Sequence, residues 1–71
     1  MSDGGYWNYR VMRRTNGAYI IVEAYYDADG KLMGYTDQAC PYGESWNELV
    51  ADLETMFKAF VYDVLEESAE P

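Results

Sequence analysis

The sequence contains no histidine among its 71 residues. This absence excludes Ser-His and Cys-His nucleophile pairs, an imidazole acid or base, and nearly every common zinc or copper site. The single cysteine, Cys40, cannot form a disulfide within the chain, and its neighbours supply no positive charge that would activate the thiol. We therefore predict no catalytic residue, no metal and no cofactor, in a protein that is not an enzyme.

Basic residues are also scarce. Five Lys and Arg stand against 13 Asp and Glu, for a net charge of -8, and so acidic a chain is a poor binder of nucleic acid. No apolar run approaches the roughly 18 residues of a membrane span, and residues 1–5 lack the charged and apolar regions of a signal peptide. Because a lone thiol is typical of a reducing compartment, we expect a cytoplasmic protein that contacts neither membrane nor nucleic acid directly.

Apolar and aromatic residues are plentiful, at 49% and 17% of the chain. That content favours an ordered core over a solvated coil. The length allows one domain at most, so we predict a single domain over residues 1–71, with an ordered part at about 6–65 and frayed termini. The acids are unevenly placed: residues 1–36 sum to zero, and residues 37–71 carry all of the net charge.

The hydrophobic pattern predicts three antiparallel strands, at roughly 6–14, 18–26 and 31–36. The Asn16-Gly17 pair predicts a hairpin turn between the first two, since both residues tolerate positive φ. The Asp-Ala-Asp-Gly segment at 27–30 predicts a second turn. It begins like a calcium loop, but the residues that follow lack the oxygen ligands such a loop needs.

The helix start is the clearest local signal. Ser45 and Glu48 form a capping box, in which each side chain accepts a hydrogen bond from the other's backbone N–H. Apolar residues at steps of three and four then predict one amphipathic helix at 46–60; they are Trp46, Leu49, Val50, Leu53, Met56, Phe57 and Phe60. Residues 61–65 either extend this helix or form a short extended segment that returns to the sheet edge. The predicted fold class is α+β, a three-stranded antiparallel meander with the helix packed on one face.

The second strand is apolar on both faces, so the face away from the helix needs a cover of its own. Eight tyrosines exceed what so small a core can hide, and tyrosine is favoured at interfaces. We therefore predict a partner or self-association surface on the face opposite the helix, formed by Tyr19, Ile21, Glu23 and Tyr25. The alternative is a self-sufficient layer of rings over the back of the sheet. Glu23 interrupts this apolar face, and we expect a cation across the sheet to pair with it; the candidates are Arg10, Arg13 and Lys31.

The chain resembles two groups of proteins. Three strands followed by a helix that opens with Gly43, Ser45 and Glu48 are similar to the N-terminal domain of HicB-type antitoxins, whose helix opens with a Gly-x-Ser/Thr-x-x-Glu segment. Over nearly its whole length the chain also resembles a family of short acidic bacterial proteins of unassigned role. The residues that carry this second resemblance are Trp7-Asn8-Tyr9-Arg10, Glu23, Tyr25-Tyr26-Asp27, Asp29-Gly30-Lys31, Gly34, Pro41-Tyr42-Gly43-Glu44 and Val64-Leu65.

The resemblance implies a fold and a habit of binding proteins. HicB-type antitoxins carry a DNA-binding segment after this domain, and residues 61–71 do not match one, so DNA binding is not expected. Our first hypothesis is therefore a non-enzymatic protein-binding module, similar to a HicB-type antitoxin core without its DNA-binding segment and active as a homodimer. The alternative is an acidic nucleic-acid mimic that occupies a basic groove of a partner through its tail and through Glu48, Asp52 and Glu54.

Overall fold

The first half of the protein, in which apolar and polar side chains alternate, forms three antiparallel strands. In the computed structural model, which describes residues 4–67, these are β1 (Tyr6–Arg13), β2 (Tyr19–Tyr26) and β3 (Leu32–Tyr35). β1 and β2 pair along their whole length, from Tyr6 opposite Tyr26 to Arg13 opposite Tyr19. β3 pairs with β2 through a shift in register near Gly34. The predicted strand bounds are confirmed to within one residue at each end.

The two hairpins share one turn geometry. In the first, Arg14 donates its N–H to the carbonyl of Ala18 at 2.7 Å, and Gly17 donates to the carbonyl of Arg14 at 2.9 Å. Residues 27–31 make the same two bonds, with Gly30 in the place of Gly17. Both glycines have positive φ, at 93° and 83°. This is a three-residue loop that ends in a left-handed glycine, a common alternative to the two-residue hairpin.

Side-chain oxygens complete these turns. Asn16 accepts the N–H of Ala18 at 2.9 Å, and Asp27 accepts the N–H groups of Asp29 and Lys31, each at 2.9 Å. Asn16 has no positive φ, so the reason we gave for this turn is wrong in part. The longer loop leaves the left-handed conformation to glycine alone, and Asn16 contributes a hydrogen bond instead.

A fourth strand makes the sheet mixed. β4 (Leu65–Glu66) lies parallel to β1, with Met12 opposite Leu65 and Arg13 opposite Glu66, and the strand order is β3-β2-β1-β4. The α+β class is confirmed, but the expectation of three purely antiparallel strands is wrong, because the chain returns to the free edge of β1. Of residues 61–65, Val61 ends a 3₁₀ turn and Leu65 begins β4, so the chain does return to the sheet edge, but only its last part does so as a strand. β4 includes Glu66, one residue beyond the predicted ordered part at about 6–65, and residues 1–3 and 68–71 lie outside the described part of the chain.

The helix α1 (Trp46–Phe57) begins where predicted and gives way after Phe57 to a 3₁₀ turn (Lys58–Val61). Ser45 is the N-cap, and its Oγ accepts the N–H of Glu48 at 3.2 Å. The reciprocal bond of the capping box differs from the prediction, since Glu48 Oε1 accepts the N–H of Glu44 at 2.9 Å. The Glu48 carboxylate therefore bonds the N–H of the residue before the N-cap, where the motif predicts a bond to the N–H of the N-cap itself. No helix within residues 4–67 has the length and apolar character to cross a bilayer.

The loop before the helix closes tightly on its first turn. A Cβ at position 43 would collide with the backbone of Glu48 and Leu49. Gly43 is thus required by the close approach of two backbone segments.

The core is small and lies on both faces of the sheet. On one face Tyr9 and Val11 pack against Met56 and Ala59; on the other, the fully buried residues are Met12, Val22 and Ala24. Ile21 packs against the first cluster, directly across from Val11. Our expectation that the helix lies opposite the face of Tyr19, Ile21 and Tyr25 is therefore wrong, because the helix contacts that same face.

Truncation of a buried and of a half-exposed helix side chain should lower the free energy of unfolding by different amounts. Met56 is 3% exposed, so Met56→Ala should lower the free energy of unfolding by about 2–3 kcal/mol through lost burial and a cavity. Leu53 is 46% exposed, and Leu53→Ala should cost below about 1 kcal/mol. Urea denaturation at low protein concentration, followed by circular dichroism, measures both. Equal losses for the two variants would contradict this orientation of the helix.

Candidate protein-binding surface

The helix meets the sheet through a narrow row of residues. Met56 and Ala59 enter the core cluster, and Asp52 bonds to Tyr9 of β1. Successive residues of a helix are about 100° apart around its axis. The row that follows by one position is therefore turned away from the sheet; it consists of Leu53, Phe57 and Phe60, all exposed. The predicted apolar stripe exists, but only its edge touches the sheet.

A buried tyrosine and a carboxylate fix this orientation. Tyr9 Oη donates to Asp52 Oδ1 at 3.2 Å, and Asp52 Oδ2 accepts the N–H of Tyr42 at 2.8 Å. One carboxylate thus joins β1, the helix and the loop before the helix. Burial of the ring, together with the adjacent negative charge of Asp52, raises the pKa of Tyr9 above its ordinary value of 10.0.

An open groove of about 350 Å³ runs beside the helix. Strand β2 contributes Tyr19 and Ile21, the loop before the helix contributes Pro41, and the helical side contributes Leu53 and Phe60. None of the lining residues carries a charge at neutral pH. The groove is therefore a neutral, largely apolar recess in a protein of net charge -8.

Exposed apolar side chains continue the groove along the helix. Trp46, Phe57 and Phe60 are 79%, 65% and 63% exposed, and the rings of Phe57 and Phe60 lie 6.1 Å apart. Groove and helix together form one apolar surface, called the stripe surface below. Its members are Tyr19, Trp46, Leu49, Val50, Leu53, Phe57 and Phe60.

The four residues predicted to bind a partner are divided by the structure. Tyr19 and Ile21 line the groove, where Tyr19 is exposed and Ile21 is half-buried. Glu23 and Tyr25 lie further along β2, outside the groove lining. The binding role of all four stays a prediction, and the structure brings only the first two together with the helix.

Glu23 and Tyr25 bond to each other. Tyr25 Oη donates to Glu23 Oε1 at 2.6 Å, and this hydrogen bond to the carboxylate is the main reason that the pKa of Tyr25 is raised above 10.0. The cation pairing expected for Glu23 is not what the described residues show. Arg13 instead pairs with Glu66, and Arg10 donates to the hydroxyl of Tyr26.

The helix residues of the stripe surface were assigned to the core by sequence reasoning. Periodicity identifies an apolar stripe but does not say which of its edges faces the sheet. Two residues could have indicated which edge of the stripe faces the sheet. Ala59 is small enough for the 3₁₀ turn to approach β1 closely, and Asp52 stands in the same row with an oxygen for a buried hydroxyl.

The described residues offer little reactive chemistry. Within residues 4–67, no cluster of three or more cysteine or carboxylate side chains has an arrangement that could hold a metal ion. Cys40 is exposed and free. The exposed apolar surface is the feature from which a function can be inferred.

Comparisons of the chain with protein-family models, with curated proteins and with solved structures find no match.

Removal of one hydroxyl tests the bond that orients the helix. Tyr9→Phe should lower the free energy of unfolding by about 1 kcal/mol at neutral pH. Because the pKa of Tyr9 is raised on folding, its contribution is present below pH 10 and is lost as the pH rises through the pKa of the folded state. The difference between the two proteins should therefore shrink as the pH is raised above 10, as measured by urea denaturation. A constant difference would contradict this account, and Tyr35→Phe, at an exposed tyrosine, is the control.

Proposed function

We propose that the protein is a non-enzymatic protein-binding module and that the stripe surface is where it binds. The observation that carries the proposal is the helix orientation, which leaves Trp46, Phe57 and Phe60 in solvent. Large aromatic side chains in contiguous exposed patches are typical of interaction sites. A HicB-type antitoxin core, which the sequence resembles, is one class of module that acts in this way, by covering a partner without catalysis.

The area of the surface supports an interface. A large aromatic side chain has roughly 200 Å² to bury, so the four exposed aromatics of the stripe surface present roughly 500 Å² between them. With the three aliphatic members the total is roughly 700 Å², close to the ~800 Å² per partner of a standard protein interface. The largest apolar patch of an ordinary monomer is about 300–600 Å².

The occupant that we propose is a second copy of the chain. In the stripe surface the exposed ring of Phe57, called the ridge below, lies 6.1 Å from the ring of Phe60, which lines the groove together with Tyr19. A two-fold axis sets the ridge of each copy against the groove of the other, which is the self-complementarity that a symmetric dimer requires. The neutral lining of the groove avoids the repulsion that two chains of charge -8 meet elsewhere.

The alternative of a nucleic-acid mimic has less support. Such a mimic presents its carboxylates freely to a basic partner. Of the three helix carboxylates it would use, Glu48 and Asp52 already accept backbone N–H groups within the chain. The apolar surface is therefore the better basis for function.

A charge at the ridge should break the dimer. Phe57→Asp should raise the dimer dissociation constant at least tenfold, since each copy loses an apolar contact of about 1.5 kcal/mol or more. Met33→Asp is the matched control, because Met33 is 68% exposed, against 65% for Phe57, and lies on β3. Sedimentation velocity over a range of concentrations measures the dissociation constants. A wild-type protein that stays monomeric at millimolar concentration would refute self-association.

Salt separates an apolar interface from a charged one. Association through the stripe surface should not weaken as salt rises, because its neutral contacts are not screened while the repulsion between two chains of charge -8 is. Sedimentation of the wild-type protein at low and high salt measures this. A steep weakening with salt would show that ion pairs hold the association and would contradict the stripe surface as its interface.

A further inference from the structure

The free edge of β1 is occupied by a very short strand. β4 covers only Met12 and Arg13 of the eight-residue β1, and Glu67 adds one backbone bond by donating to the carbonyl of Arg13 at 2.9 Å. The flanking residues Tyr62 and Val64 are exposed. Few buried contacts and exposed flanks are the properties of a segment that opens locally at low free-energy cost.

Three of the five cations of the chain hold this segment. Arg13 Nε lies 3.0 Å from Glu66 Oε1, and Arg14 Nε lies 3.5 Å from Glu67 Oε1. Arg10 Nη2 donates to the backbone carbonyl of Asp63 at 2.7 Å. The edge of β1 is thus a basic strip on an acidic protein, and it takes acidic residues in an extended conformation.

One arginine of the basic strip is held by hydrogen bonds to neutral groups and not by a carboxylate of the described residues. Arg10 forms no ion pair with a carboxylate of residues 4–67. Its guanidinium instead donates to Tyr26 Oη at 2.8 Å and lies 5.1 Å from the centre of the Tyr62 ring, and its buried Nε is without a partner. A carboxylate in the place of the Asp63 carbonyl would gain a charge-assisted bond that β4 does not make.

We propose that the edge of β1 is a strand-docking site for an extended acidic segment of another protein, and that β4 is the chain's own occupant of that site. The ligand has an apolar residue followed by two acidic ones, as in Leu65-Glu66-Glu67, and a further acidic side chain that reaches Arg10. It adds to the sheet as a parallel strand, by the same backbone pairing that β4 uses. This site is separate from the stripe surface and does not depend on the proposed dimer.

A foreign acidic segment suits this edge better than a second copy does. A second copy offers the same Leu65–Glu67 segment only by withdrawing it from its own β1, so the number of contacts is unchanged. A ligand with the additional carboxylate gains a bond to Arg10. It must also displace a tethered strand whose effective concentration is in the millimolar range, so a weakened β4 should reveal the site.

The test uses the full chain with Glu66→Gln and Glu67→Gln, labelled for NMR. The probe is a capped synthetic peptide with the sequence of residues 61–67, except that an aspartate replaces Tyr62. The peptide should shift the amide signals of residues 10–15. A control peptide with glutamine in place of both glutamates should bind about tenfold more weakly, since two ion pairs at the surface are worth about threefold each in affinity.

Three results would overturn the proposal: no shift at millimolar peptide, equal binding of the two peptides, or shifts confined to the stripe surface. If the double variant fails to fold, the unmodified chain replaces it. Bound peptide should then displace β4 and speed hydrogen exchange of the Glu67 N–H, and unchanged exchange would overturn the proposal as well. In the chain with Arg13→Gln and Arg14→Gln, the preference for the acidic peptide should disappear.

Discussion

The contact of Asp52, Met56 and Ala59 with β1 decides the character of the whole molecule. A hydroxyl on Tyr9 needs a partner once its ring is buried, and Asp52 is the carboxylate within reach. That bond orients the helix so that the row of Asp52, Met56 and Ala59 faces the sheet. The larger apolar side chains are then directed to the side, where they continue the groove beside β2. The groove, the exposed ridge and the modest core are consequences of this one orientation.

Several carboxylates of the chain bond backbone N–H groups that are close to them in the sequence. Asp27 closes a turn, Glu48 closes the helix start, and Asp52 joins three segments. Among the described residues, the ion pairs between the neutral first half and the acidic second half lie at the end of β1, where Arg13 and Arg14 hold Glu66 and Glu67. Both ion pairs lie at the surface, with the Arg14–Glu67 pair half-buried, so each contributes little to stability. Their value lies in selecting which segment pairs with the β1 edge.

Two surfaces with different physical character follow from this arrangement. The stripe surface is neutral and apolar, so a partner there would be held by buried area. The edge of β1 is basic and offers backbone hydrogen bonds, so a partner there would be held by strand pairing and charge. The two proposed binding surfaces are separate, since the helix and the β1 edge present different chemistry.

The sequence by itself determined the local structure. The strand bounds, the two turns at glycines 17 and 30 and the helix start at Ser45 were predictable, because each depends on residues within a few positions of one another. Only the tertiary structure decided which edge of the helix faces the sheet and where residues 62–67 return. Those outcomes depend on contacts such as Tyr9 with Asp52 and Arg13 with Glu66, which join residues more than 40 positions apart. A periodic pattern specifies a face of an element but not the partner of that face, and so the helix was expected on the opposite face of the sheet from Tyr19 and Ile21 and instead packs on the same one.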